Sequence, residues 1–131
     1  PLAFCNGSQI KQVMLNTISN SRYALNKKFK KSHPQKKISL KTGLTDRGNT
    51  PFIRITLTDF GTGIEPHVLE KVYDPFYSTK PNGEGTGLGL SISYGLIRDN
   101  GGYIRISSET DKYTAINLDL PVVTGGSHGD V

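Results

Sequence analysis

Residues 83–89 read Gly-Glu-Gly-Thr-Gly-Leu-Gly and run straight into the apolar stretch Leu90-Ser91-Ile92. Glycine permits a backbone with φ > 0 and leaves no Cβ between the chain and a ligand. A glycine-rich loop that opens a helix aims amide N–H groups and the positive end of the helix dipole at one place, a setting that favours phosphate. Such loops also serve as mobile linkers, so the neighbouring segments decide between the two readings.

The chain has 131 residues, enough for one domain with a core. No run approaches the roughly 20 apolar residues that span a bilayer, and the first residues do not read as a secretory leader. Cys5 is the single cysteine, which excludes an internal disulfide and a cysteine metal cluster; it reads as a small apolar residue. The net charge of +5 is uneven: residues 1–50 hold ten Lys/Arg and one acidic residue, Asp46, against six and ten in residues 51–131. Six lysines fall between Lys27 and Lys37, in a run that Pro34 keeps from being one helix. This run reads as a solvated loop between a helix and a strand. No aromatic series or zinc-ligand spacing accompanies it, which argues against nucleic acid.

Ile10, Val13, Met14, Ile18 and Leu25 share one helical stripe with Thr17 and Ser21, predicting a helix over about residues 8–27. Four runs alternate as strands do: Ile38/Leu40, Ile53/Ile55/Leu57, Ile104/Ile106 and Ile116/Leu118/Leu120. Each has one apolar and one polar face, as in a sheet covered on one side. A short helix is expected over about residues 66–72 and a longer one over 88–99, stopped by Asn100-Gly101-Gly102. This order predicts an α/β two-layer sandwich, a mixed sheet covered on one face by helices. Residues 1–123 are expected to form the domain and residues 124–131 a disordered tail.

Asn16 and Asn20 stand four apart, on one helix face with Tyr23 and off the apolar stripe. They are either solvated or hard-oxygen donors of the kind Mg²⁺ takes beside phosphates and water. Asp59-Phe60-Gly61-Thr62-Gly63-Ile64 follows a strand. Its carboxylate suits either an N-capping turn or an exocyclic amino group such as adenine's. Asp74-Pro75-Phe76-Tyr77-Ser78-Thr79-Lys80 reads as a surface turn or as the anchor of a lid over residues 78–86, with Lys80 in reach of phosphate.

Together these segments resemble the catalytic ATP-binding domain of sensor histidine kinases, in the superfamily shared with gyrase, the mismatch-repair ATPase and a heat-shock chaperone. Leu15-Asn16-Thr17-Ile18-Ser19-Asn20 resembles the N box, residues 59–64 the first glycine box, Asp74-Pro75-Phe76-Tyr77 the F box and residues 83–90 the second glycine box. Residues 74–81 and 91–97 look closest to the nitrogen- and dicarboxylate-sensing subgroup. The resemblance implies the Bergerat-type fold, ATP and Mg²⁺ as cofactors, and a bacterial two-component phosphorelay. It implies Asn20 as the Mg²⁺ ligand, with Asn16 beside it, and Asp59 as the reader of the adenine amino group. Gly63, beside Gly61 and Ile64, would make room for the base, with Thr114 near it. Gly85, Thr86, Gly87, Leu88, Gly89 and Leu90 would meet the phosphates, with Phe76 and Lys80 at the lid. Arg22 stands where the nitrogen-sensing subgroup often has a phosphate-binding arginine.

Three positions depart from the family pattern: Tyr113 replaces a glycine before Thr114, Ser21 replaces the usual alanine after Asn20, and Tyr23 stands where many members have lysine. His33, His67 and His128 are the only histidines, and none is followed by an acidic residue as the family's acceptor histidine is. The resemblance therefore implies an excised, monomeric domain that phosphorylates a histidine on a separate dimerisation domain, which in turn serves a response regulator. The setting is cytoplasmic, with a parent chain that is either soluble or membrane-anchored. An ATP-hydrolysing switch of the gyrase or chaperone type is the main alternative. Those relatives place a glutamate where Asn16 stands, and asparagine cannot take a proton from water. A degenerate scaffold and a serine kinase acting on an anti-sigma-factor antagonist fit the intact glycine boxes and the Ser78-Thr79-Lys80 segment less well.

Overall fold

A computed structural model of the chain describes residues 2–3, 5–71 and 89–123. Its elements are α1 (Gly7–Lys28), β1 (Ile38–Arg47), β2 (Thr50–Asp59), α2 (Pro66–Leu69), α3 (Gly89–Asp99), β3 (Tyr103–Glu109) and β4 (Tyr113–Pro121). Order and type agree with the alternation patterns. α1 starts earlier than the Ser8 signal suggests, because the Asn6 side chain accepts the Gln9 N–H at 3.1 Å and caps the helix. α2 ends at Leu69; Val72 and Leu88, the expected ends of two helices, lie outside the described residues, as does the expected tail.

The strands lie in the order β1-β2-β4-β3. All three pairings are antiparallel, so the mixed sheet expected from the element order is not formed among the described residues. The reason is topological. β2 and β3 run in the same direction, as a helical crossover would have them, but the β3–β4 hairpin inserts β4 between them. An isolated bridge from Ala3 to Val122 ties the N-terminal segment to the far end of β4.

One face of this sheet carries Leu57, Ile116, Leu118 and Leu120, and the helices cover it. Val13 of α1 and Ile97 of α3 close the core at 0 % exposure, with Cys5, Ile10 and Met14 packed around it. Asn100 joins the two helices. It accepts the Asn6 N–H at 2.6 Å and donates to the Gln9 side chain at 2.9 Å. Because α1 shares the sheet with α3, its buried stripe runs through Val13, Thr17, Ser21 and Leu25. Ile18 lies at the edge of that stripe and is 39 % exposed, contrary to its place in the sequence pattern. β1 extends past the helices: Leu40 and Leu44 share the helix-side face of Leu57 and Ile53 yet remain 57 % and 65 % exposed.

The opposite face holds a charge cluster that period-2 reading places in solvent. Asp119 is 1 % exposed and accepts from Arg54 at 2.8 and 2.9 Å and from Arg47 at 3.0 Å. The Arg47 guanidinium lies 3.9 Å over the Tyr103 ring, which meets Phe52 edge-on at 5.6 Å. Burial pushes the Asp119 carboxyl up, but the bonds and charges of Arg54 and Arg47 outweigh it and hold the group below the usual carboxylate range. A depressed carboxylate stabilises the fold above its unfolded pKa and loses that contribution as pH falls through the folded value. We expect Asp119→Ala to lower unfolding free energy by about 2 kcal/mol at pH 7, less than a fully buried pair because both arginines are more than a third exposed. Urea titrations should show the gap closing as pH drops below about 4; a gap that is constant with pH would remove the charge from the explanation.

Candidate functional site

The end of β2 is the point where helix, sheet and turn meet. Asp59 closes the strand on the helix-side face, beside Thr114 of β4 in register, and the two are 3 % and 7 % exposed. The Asp59 carboxylate accepts the Gly61 N–H at 2.9 Å and a hydrogen bond from the Ser21 hydroxyl of α1. Burial pushes its pKa up, and these two bonds pull it down without cancelling the effect. Both donors are neutral. A carboxylate offers about four lone-pair positions, so acceptor capacity remains for a ligand.

The turn after Asp59 is wedged between α1 and the β3–β4 hairpin, and its glycines answer to that wedge. A Cβ on Gly61 would lie 2.8 Å from the backbone and side chain of Ala24 on α1. Gly63 has φ +69°, and its Cβ would lie 2.3 Å from the Glu109 carbonyl oxygen. Polar bonds close the same junction. The Asp111 N–H donates to the Thr62 carbonyl at 2.6 Å, the Lys28 ammonium donates to the Asp111 carbonyl, and the Ile64 N–H donates to the Ser108 hydroxyl at 2.7 Å. Lys37, at the end of the basic run, sits 5.8 Å over the Phe60 ring. That run therefore reaches the rim of the junction, while His33 stacks on Phe29 at 4.3 Å.

Asn16 and Asn20 are partly buried on the α1 face toward α3. The Asn16 amide donates across to the Ser93 hydroxyl at 3.4 Å. Tyr23 shares this side. Arg22 does not: it lies roughly 200° around the helix from Asn20, and it is exposed. Of the expected site residues, the structure brings together Asp59, Gly61, Gly63, Ile64 and Thr114 at the strand ends. Asn16 and Asn20 lie on the α1 face directed to α3, at whose start Gly89 and Leu90 stand. Phe76, Lys80, Gly85, Thr86, Gly87 and Leu88, with the expected lid over residues 78–86, lie outside the described residues.

Sequence reading missed Ser108 and the bond from Ser21. Ser21 is visible in the sequence as a polar member of the α1 stripe and as a departure from alanine, and Ser108 as one polar residue at the end of an alternating strand. Among the described residues, no group of three His, Cys, Asp or Glu side chains could hold a metal.

Two outcomes follow from the wedge and the buried carboxylate. Gly63→Ala should cost about 2–4 kcal/mol of stability, from a positive φ and a backbone clash together; an unchanged melting temperature would mean that the turn is not held against the hairpin. Asp59→Asn keeps an acceptor for Gly61 and removes a buried charge. An aspartate whose folded pKa is raised adds stability below its unfolded pKa and gives it up as pH rises through the folded value. The nucleotide-free variant should therefore gain about 0.5–1 kcal/mol at pH 7, with the gain fading as pH falls through the raised folded value and essentially gone below the unfolded value of about 4. Calorimetric melting of parent and variant across this pH range checks it.

Comparison with known proteins bears on this geometry. Residues 5–124 match the family described as histidine kinase-, DNA gyrase B-, and HSP90-like ATPase. The chain is 37 % identical over 117 residues to the sensor kinase CckA of Brucella abortus, covering 86 % of this chain and 12 % of that protein. It is 32 % identical over 120 residues to sporulation kinase B of Bacillus subtilis, covering 92 % and 25 %. It is 34 % identical over 115 residues to the sensor histidine kinase ZraS of Salmonella typhimurium, covering 88 % and 22 %. The chain thus spans a quarter or less of these relatives. With its sandwich, its buried aspartate at a strand end and its glycine turn, the chain belongs to the histidine kinase-, DNA gyrase B-, and HSP90-like ATPase family.

Proposed function

We propose that this chain is the ATP-holding domain of a bacterial sensor histidine kinase, presenting the γ-phosphoryl group of MgATP to a histidine on a separate dimerisation domain. The observation that carries the reading is Asp59: 3 % exposed, raised in pKa by burial, and hydrogen-bonded by neutral donors in an ATPase-family sheet. A carboxylate that bears its desolvation without an ion pair is a candidate for a functional group. Here its remaining acceptor positions suit the adenine amino group.

The residues divide the work by chemistry. Asp59 and Thr114 meet the base, and the turn of Gly61, Gly63 and Ile64 sets its plane. Asn20 supplies an amide carbonyl, a hard oxygen suited to Mg²⁺. Since no ready-made cluster of metal-binding side chains exists among the described residues, a cation here would complete its shell with phosphate oxygens and water. The second glycine box and Lys80 would hold the phosphates. Bound Mg²⁺ would offset the charge that develops on the transferred group. Arg22, exposed and turned away from Asn20, is the weakest member of the expected set.

The sensor-kinase relatives favour this reading over an ATP-hydrolysing switch. So does Asn16, whose amide cannot serve as general base and already faces Ser93. A response regulator would be the onward partner. Among the described residues no helix is long and apolar enough to cross a membrane.

Alone, the chain should bind MgATP at micromolar to millimolar affinity, about −4 to −8 kcal/mol, and turn it over near background, since general-base help worth roughly 100- to 10,000-fold is missing. Adding a cognate dimerisation domain should produce acid-labile label on that domain from γ-labelled ATP, as proximity is restored. Asn20→Ala should abolish the transfer while the domain still folds and melts cooperatively. Steady phosphate release by the isolated chain that Asn16→Ala removes would place the protein in the ATPase branch.

A further inference from the structure

Ser108 sits at a crossing of three hydrogen bonds whose directions are fixed by their partners. Its hydroxyl lies 2.8 Å from the Tyr113 carbonyl, 2.7 Å from the Ile64 N–H and 3.2 Å from the Thr114 hydroxyl. A serine hydroxyl has one proton and two lone pairs. The Tyr113 carbonyl can only accept, so it takes the Ser108 proton. The Ile64 amide can only donate, so it fills one lone pair. The remaining lone pair faces Thr114, which must donate to it. The Thr114 proton is thereby spent on Ser108, and what Thr114 presents elsewhere is lone pairs.

Thr114 is the register partner of Asp59, and both side chains lie buried on the helix-side face. Asp59 as a carboxylate is also an acceptor. The edge formed by the two is acceptor at both positions; held against the six-position of a purine, it pairs with an amino group and repels a carbonyl oxygen, whereas the N1–H and 2-amino donors of guanine would reach it only in a different pose of the base. The six-position of adenine carries an amino group and that of guanine a carbonyl oxygen.

We propose that Ser108 is a positioning residue for base selection: by drawing the Thr114 proton onto itself, it fixes Thr114 as an acceptor and sets the site for ATP over GTP. This rests on the nucleotide-binding reading of the site. Without the Ser108 hydroxyl, the Thr114 hydroxyl regains a free proton, can rotate, and can donate to a guanine carbonyl. Ser108 would then influence which base is held while touching neither the base nor the phosphates.

The test is calorimetric titration of the 131-residue chain with MgATP and with MgGTP, using the parent, Ser108→Ala, and the isosteric pair Ser108→Thr and Ser108→Val. The parent should prefer ATP. Ser108→Ala and Ser108→Val should reduce the ATP:GTP affinity ratio by about 5- to 30-fold, the range for one buried hydrogen bond. Ser108→Thr, which keeps the hydroxyl, should restore the ratio. If Ser108→Ala does not fold, the Thr/Val pair decides, since both have the same shape. An unchanged ratio in the Ala and Val variants would overturn the proposal. Equal loss of both nucleotides would also overturn it, by reducing Ser108 to a structural support. Failure of the parent to bind either nucleotide would instead overturn the nucleotide reading itself.

Discussion

The wedging of the turn at residues 59–64 between α1 and the β3–β4 hairpin is the contact on which the candidate site depends. Without it Asp59 would be a strand-end carboxylate in water. With it, the Gly61 amide and the Ser21 hydroxyl converge on the carboxylate, and burial raises its pKa. The two glycines are required because each gives its Cβ space to another part of the chain, Gly61 to Ala24 and Gly63 to the Glu109 carbonyl. Backbone conformation, packing and electrostatics thus act on the same six residues. The site is destabilised by its own charge and held by the elements on either side.

The opposite face of the sheet carries a different use of a buried carboxylate. Asp119 is as fully enclosed as Asp59, but two guanidiniums satisfy it and depress its pKa. The two buried aspartates of one small sheet thus differ in how their charge is met: one by guanidiniums, the other by neutral donors. The paired one supports the fold and becomes a liability when protonated. The other is costly to bury and has acceptor capacity to spare, as the proposed role in ligand recognition requires.

Much of this was legible in the sequence because the signals are local. Alternation at Ile53/Ile55/Leu57 and Ile116/Leu118/Leu120 marks the strands. The Asp-Phe-Gly-Thr-Gly run after β2 marks a turn that must approach something closely, and Asn16 and Asn20 mark one helix face. What stayed hidden depends on distant partners. Nothing near Asp119 says that Arg47, 72 positions away, will fold over it. Ile18 has the right spacing for the core, but it falls at the edge of the buried stripe of α1 and stays exposed. The element order fits a mixed sheet as well as an antiparallel one, and only the insertion of β4 between β2 and β3 decides. Ser108 belongs to no motif. Its meaning comes from standing within reach of Ile64, Tyr113 and Thr114 at once.

On the proposed reading, the acceptor edge at the ends of β2 and β4 would make a direct demand on the ligand: a hydrogen-bond donor at the six-position of the purine. Purine riboside triphosphate has the shape and phosphates of ATP but carries hydrogen in place of the amino group. Side-by-side calorimetric titration of the chain with the two triphosphates in the presence of Mg²⁺ isolates that one group. Asp59 acting as the base reader predicts affinity lower by about 10- to 100-fold for the analogue, the range for a hydrogen bond to a charged group. Equal affinity for the two would contradict it and leave the buried aspartate without a role in recognition.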